Sequence, residues 1–352
     1  MENIIDTREN KNINKEILQR VERSEDFLLR GNFRLTKSKM SFGAARFKIE
    51  RNVLDTSLRM FDKTSCKDEV LRNYQTFSMD GRKVVLPKHY PVSMTEREGV
   101  LNGNRNVFMY FPYCMGGMDA NPDNHFSLEF IESSQAIYFN VVAPSLYEVF
   151  VNADEIDQKL SNKIKNLTYL FSLFHEIGHL IGPWQATPKR RDDLLIKPYY
   201  HAIMGELAAD LMIARCNPEY LEISLMNLVG KMFFYARKGF MENPIQAMVN
   251  LDNDSWGGVF MIKSLLDQGV VTRSGDKYHM DLDKLMDGLI YQFNQVHELG
   301  LEVIKLKTKD EQMAFVESWM SAQLDYDDEK GYSIPKEIIN IFNLLKHVPE
   351  QA

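Results

Sequence analysis

The stretch "LFSLFHEIGHLIGPW", residues 170–184, sets two histidines and a glutamate within five residues of an otherwise apolar run. It closes a longer segment, "SNKIKNLTYLFSLFHEIGHLI" (161–181), in which Ile164, Leu167, Phe171 and Phe174 recur at helical spacing. The pattern predicts a helix with Ser161 as N-cap, stopped by Gly182-Pro183. Residues four apart on a helix share a face, with Cβ atoms about 5–6 Å apart. His175 and His179 therefore project together, while Glu176 points about 100° away around the axis. Polar groups buried in such a helix are costly without partners, so the rest of the chain has to supply them.

Downstream, "YYHAIMGELAADLMIARCN" (199–217) predicts a second helix, ended by Asn217-Pro218. On it Glu206 and Asp210 are one turn apart, able to face the first helix together. Upstream the texture is β-like: "DGRKVVLPKHYP" (80–91), "NVFMYFPY" (106–113), "FSLEFIE" (126–132) and "QAIYFNVVAP" (135–144) are short apolar runs bounded by turn residues, with "CMGGMDANPDNH" (114–125) as a loop. The last three runs, in close succession, predict an antiparallel sheet. Charged helices are expected near Lys15–Leu29 and Lys67–Phe77, and further helices over Tyr220–Lys238 and Trp256–Gln268. "GVVTRSGDKYHMD" (269–281) predicts a hairpin, and the chain from Leu282 onward reads as amphipathic helix. The fold class is α+β, with an early sheet and a mostly helical C-terminal half. Three regions are expected: a mixed segment over 1–85, a core over 86–250 and a helical region over 251–352.

Composition narrows the function classes. Of 352 residues, 44% are hydrophobic and 26% charged, with a formal charge of −7, which suits a globular domain and disfavours general binding to nucleic acid or anionic membrane. Lys189-Arg190-Arg191 reads as a solvated loop. Cys66, Cys114 and Cys216 form no CxxC pair, so neither a zinc ribbon nor a disulfide framework is expected. The N-terminus, "MENIIDTRENKNINKEILQR", lacks a signal-like apolar stretch, and no run approaches 18 apolar residues. A cytoplasmic location without membrane contact is expected.

His175-Glu176-Ile177-Gly178-His179 has the form HExxH. Two imidazoles one turn apart can reach a single tetrahedral Zn2+, and the intervening glutamate can take a proton from water activated by that metal. A catalytic zinc needs a third protein ligand. Glu206 is the candidate, with Asp210 behind it to accept the free N–H of a ligating histidine. Zinc would also offset the charge of these two carboxylates among Leu207, Ala208, Ala209 and Leu211. Cobalt or manganese could occupy the same donor set in vitro.

The HExxH motif, followed by a glutamate on a later helix with an aspartate four residues on, resembles the gluzincin class of zinc metallopeptidases. The likeness covers about 161–216. It implies a zincin-like fold, an active-site helix beside a sheet whose edge strand aligns an extended substrate, Glu206 as third ligand and a peptide or small amide as substrate. "QAIYFNVVAP" would be the nearest strand. A second likeness, to the dipeptidyl peptidase III family, rests on the Glu206 helix and on "WGGVFMIKSLLDQGVV" with "YHMD" (256–271 and 278–281). That family has one more residue between its two histidines and a glutamate-rich second motif, so exopeptidase specificity is not carried over.

Tyr199, Tyr200 and His201 open the second helix; any of them could stabilise an oxyanion. His201 points about 140° away from Glu206, which favours a capping or surface role. Tyr235, Tyr278 and Tyr291 read as packing, as do the singly scattered His89, His125, His279, His297 and His347, with His125 beside a strand that could line a cleft. The 19 methionines look like adaptable core filler. The hairpin after 256–268 could be the wing of a DNA reader, but "RSGDKYHMD" carries both signs of charge and its helix only Lys263, so no nucleic-acid partner is expected. The leading expectation is a zinc-dependent hydrolase of peptide or amide bonds with Glu176 as general base. The alternatives are a zinc enzyme acting on a small metabolite or modified peptide in a biosynthetic pathway, and a metal-dependent regulator without hydrolase activity.

Overall fold

The computed structural model of the chain describes residues 4–6, 13–33, 41–62, 88–103, 109–110, 126–185, 193–237, 253–327 and 331–349. Its N-terminal layer comprises β1 (Ile4–Asp6), α1 (Ile13–Glu22), β2 (Phe27–Phe33), β3 (Ser41–Ile49), α2 (Arg51–Phe61), β4 (Lys88–Gly99), the short α3 (Val100–Gly103), β5 (Met109–Tyr110) and β6 (Phe126–Phe130). The six strands form one sheet in the order β1-β2-β3-β4-β6-β5. The expected antiparallel sheet is in fact mixed: β1 with β2 and β4 with β6 run parallel, the other pairs antiparallel. The helix expected over Lys15–Leu29 stops at Glu22, because Ser24 takes a positive φ of 53° and Phe27 already starts β2. Within this sheet β3, from the first 49 residues, pairs with β4.

Alternation gives this sheet two chemically different faces. On one, Phe27 stacks on Phe47 with ring centroids 5.3 Å apart, Phe130 lies tilted against Phe47 at 5.9 Å, and the three belong to one apolar cluster with Ile17, Leu18 and Val21 of α1. On the other, the paired β4 and β6 residues His89 and Ser127, with Glu129 two places on, are buried and polar. That polar face meets the helical layer: the Tyr169 ring stacks on His89, and its O–H donates to the His89 carbonyl at 2.8 Å.

The helical layer comprises α4 (Ile131–Ile137), a π-helical turn (Tyr138–Val142), α5 (Ala143–Val149), α6 (Ala153–Leu160), α7 (Ile164–Gly178), α8 (Pro198–Cys216), α9 (Leu221–Gly230) with a π-helical turn at Lys231–Ala236, α10 (Asn253–Asp267), a hairpin of β7 (Val271–Ser274) and β8 (Lys277–Met280), α11 (Leu282–Lys305), α12 (Lys309–Ser321), a second hairpin of β9 (Asp325–Asp327) and β10 (Gly331–Ser333), and α13 (Lys336–Leu344). One large apolar cluster runs through α4 to α13. "QAIYFNVVAP", expected as a strand, is helical throughout. Across this stretch and the rest of α5, the buried residues Ile137-Tyr138, Val141-Val142, Ser145-Leu146 and Val149 recur every four residues, a spacing the wider π turn keeps on one face. Ser161 is not an N-cap; it lies in a 3-10 turn joining α6 to α7, and Lys163 precedes α7 without a side-chain cap. Among the described residues, no helix is long and apolar enough to cross a membrane.

The motif helix α7 lies directly on α8. Gly178 makes this possible, since a Cβ there would stand 2.6 Å from the Ala209 Cα and 2.7 Å from its carbonyl oxygen. Beyond α7, the Trp184 indole N–H donates to the Val296 carbonyl of α11 at 2.8 Å, which pins the turn that follows the motif.

Candidate metal centre

Helical spacing on α7 and the close α7–α8 approach bring His175, His179 and Glu206 together. The two imidazole rings stand edge to face, with centroids 4.6 Å apart. Their Nε2 atoms are 3.1 Å from each other, and Glu206 Oε2 is 3.1 Å from His175 Nε2 and 3.5 Å from His179 Nε2. All three donor atoms lie within 4.8 Å of one another. Two imidazole nitrogens and a carboxylate oxygen converging in this way are a repulsive set of lone pairs unless a proton or a cation lies among them. The donor set is one that Zn2+ accepts, and it fits. Burial works to lower the His175 pKa, but the charge of Asp210 and hydrogen bonds with Asp210 and Glu206 outweigh it and raise it well above the usual histidine value. Burial likewise works against an ionised Glu206, yet His179 and His175 hold it well below the usual carboxylate range.

Asp210 is buried and stands behind this cluster, its Oδ1 2.8 Å from His175 Nδ1. That hydrogen bond places the second imidazole nitrogen toward Glu206 and His179. The sequence reading left zinc to compensate both carboxylates; the structure gives Asp210 a cation of its own. Lys231, at the head of the π-helical turn after α9, places Nζ 3.1 Å from Asp210 Oδ2 and also pairs with Asp254. Sequence reading missed Lys231. Its signal was a single lysine inside the apolar run "SLMNLVGKMFFYA" (224–236).

Glu129 was missed as well. It is the one charged residue of β6, 0% exposed, and accepts a hydrogen bond from Ser134. Burial pushes its pKa up to about 8 against the opposing pull of the Ser134 hydroxyl, and the charge of Glu176 adds to the rise. Glu176 itself is half-buried. His89, expected to be structural, has Nδ1 2.6 Å from Ser127 Oγ, and burial, then the charge of His175, lowers its pKa to about 3.

A cavity of about 470 Å3 opens beside the cluster, lined by His179, Glu206, Trp184, Leu194, Ile196 and His201 among others. His201, expected at the surface or as a cap, forms part of this wall: it lies one turn before Gly205 and Glu206, and the bend of the chain through Leu194 and Ile196 encloses it. Tyr200 sits beneath Lys197 Nζ at 5.6 Å, Tyr235 beneath Lys231 Nζ at 4.8 Å, and Tyr291 is exposed. His125, Cys66, Cys114, Lys189-Arg190-Arg191 and the helix expected over Lys67–Phe77 lie outside the described residues.

Comparison with solved structures places this architecture. DPP III from Caldithrix abyssi superposes with a TM-score of 0.60 at 12% identity, covering 93% of this chain and 60% of that one. The chain is similar in fold to dipeptidyl-peptidase III structures. The dipeptidyl-peptidase III of Corallococcus sp. strain EGB agrees, with a TM-score of 0.56 at 14% identity over 93% of this chain and 58% of its own. The present chain thus spans somewhat under two thirds of the length of these dipeptidyl-peptidase III chains. No known family profile and no curated protein sequence matches it.

Proposed function

We propose that this protein is a zinc-dependent hydrolase of peptide or amide bonds. The observation that carries the reading is the convergence of His175 Nε2, His179 Nε2 and Glu206 Oε2 within 4.8 Å on two adjacent helices. The likeness of fold to dipeptidyl-peptidase III structures supports the same class of chemistry. His175, His179 and Glu206 would hold the ion, which when bound would polarise a scissile carbonyl and lower the pKa of a water. Asp210 accepts from His175 Nδ1, so that with the ion bound Nε2 would be its ligand atom. Glu176, on the same helix but turned away from the ligand face, takes the proton of the attacking water and passes it to the leaving amine. The cavity beside His179 and Glu206 receives the substrate, with apolar walls from Trp184, Leu194 and Ile196.

Digestion of a peptide library tests this. The wild type is expected to cleave at preferred sequences, and Glu176→Gln to lose about 10²–10⁴-fold in rate while retaining its metal. No cleavage by zinc-loaded wild type, or full activity in Glu176→Gln, would overturn the reading.

A further inference from the structure

Lys231 is only 3% exposed, and a buried ammonium group is costly to keep. It serves no part of the chemistry described above, yet its contacts lead straight to the metal cluster. Nζ stands 3.1 Å from Asp210 Oδ2, pairs with Asp254 and lies 4.8 Å over the Tyr235 ring. Asp210 Oδ1 in turn is 2.8 Å from His175 Nδ1. The backbone here is as constrained as the side chain. Lys231 opens a π-helical turn, a form found mostly as single turns at functional sites. Helix α10 presses on that turn so closely that a Cβ at Gly258 would stand 2.8 Å from the Lys231 carbonyl oxygen. The ammonium is therefore delivered to Asp210 from a wedged, immobile base.

We propose that Lys231 is a positioning residue of the cluster: it clamps Asp210 Oδ2, which keeps Oδ1 on the Nδ1–H of His175 and aims Nε2 at His179 and Glu206. A carboxylate held at one oxygen alone can rotate about its Cβ–Cγ bond and turn to other donors. Hydrogen-bonded at Oδ1 and ion-paired at Oδ2 by groups on different helices, it is biased to one orientation. Asp254, a third of whose side chain is exposed, shares the ammonium and does not touch His175, so it supplies the control.

The inference rests on the metal reading for only one of its two readouts. The first is the tautomer of His175, followed by NMR of protein labelled with 15N-histidine. Wild type is expected to show an Nδ1-protonated ring whose proton exchanges slowly with water, and Lys231→Met to lose that protection. The second is zinc affinity by competition with a chromogenic chelator. Lys231→Met is expected to weaken it about 10-fold or more, as loss of an outer-shell partner does, and Asp254→Asn to weaken it distinctly less. Should Lys231→Met fold poorly, Lys231→Met/Asp254→Asn leaves one buried carboxylate in place of two and carries the same comparison against Asp254→Asn. An unchanged tautomer and unchanged zinc affinity on loss of Lys231 would overturn the proposal while leaving the metal reading intact. A tautomer that collapses in a protein whose wild type takes up no zinc would do the reverse.

Discussion

At the scale of single residues, the candidate site is a balance of buried charges. His175 and His179 favour the ionised form of Glu206, Asp210 stands between an imidazole and an ammonium, and burial favours the neutral form of Glu129 against the pull of its serine hydroxyl partners. Glu129 carries a testable consequence for stability. Its folded-state pKa of about 8 lies above the usual 4.5, so the folded chain holds a proton that the unfolded chain has released. The associated stability is fully present below about pH 4.5 and is lost as pH rises through about 8. Between pH 6 and 7.5 the loss amounts to about 2 kcal/mol. Glu129→Gln copies the protonated form and does not titrate. Urea unfolding at both pH values should therefore show wild type losing about 2 kcal/mol relative to the variant. A constant difference between the two proteins would mean that Glu129 is ionised in the fold.

At the scale of elements, the contact of α7 with α8 decides whether a site exists. Gly178 sits inside the HExxH motif and lets the Ala209 backbone approach. Gly178→Ala would force the two helices apart at the point where Glu206 meets both histidines. Overpacking of this kind costs about 1–3 kcal/mol, and zinc affinity should fall along with thermal stability; a variant with wild-type affinity would show that the approach is not what assembles the cluster. These two helices were legible in sequence because their apolar periodicity is strong and each ends in a clear stop, and so were the 269–281 hairpin and the helix opening at Tyr220. The segment "QAIYFNVVAP" was not. Its β-branched and aromatic residues imitate a strand, and its four-residue repeat belongs to neither ideal period. In β2 the strict burial of alternate residues, Phe27, Leu29, Gly31 and Phe33, was present in the sequence but masked by the charged helix pattern just before it. Lys231 and Glu129 could not be found from spacing, because each meets the site from an element remote in sequence.

At the scale of the whole molecule, the sheet and the helical layer share one polar seam. The face of β4 and β6 bearing His89, Ser127 and Glu129 backs the motif helix, and α10, α11 and the π-helical turn close the other side around Asp210 and Trp184. No pattern local to the chain reveals that seam, since it depends on the pairing of β4 with β6, which are separated by other elements in the chain. The same placement makes the metal the central claim. Metal content per chain, measured by mass spectrometry on purified wild type and Glu206→Ala after zinc is offered and excess removed, tests it most directly. About one zinc per wild-type chain and little in the variant is the expected result. A wild type without metal, or a Glu206→Ala variant that keeps a full complement, would contradict it.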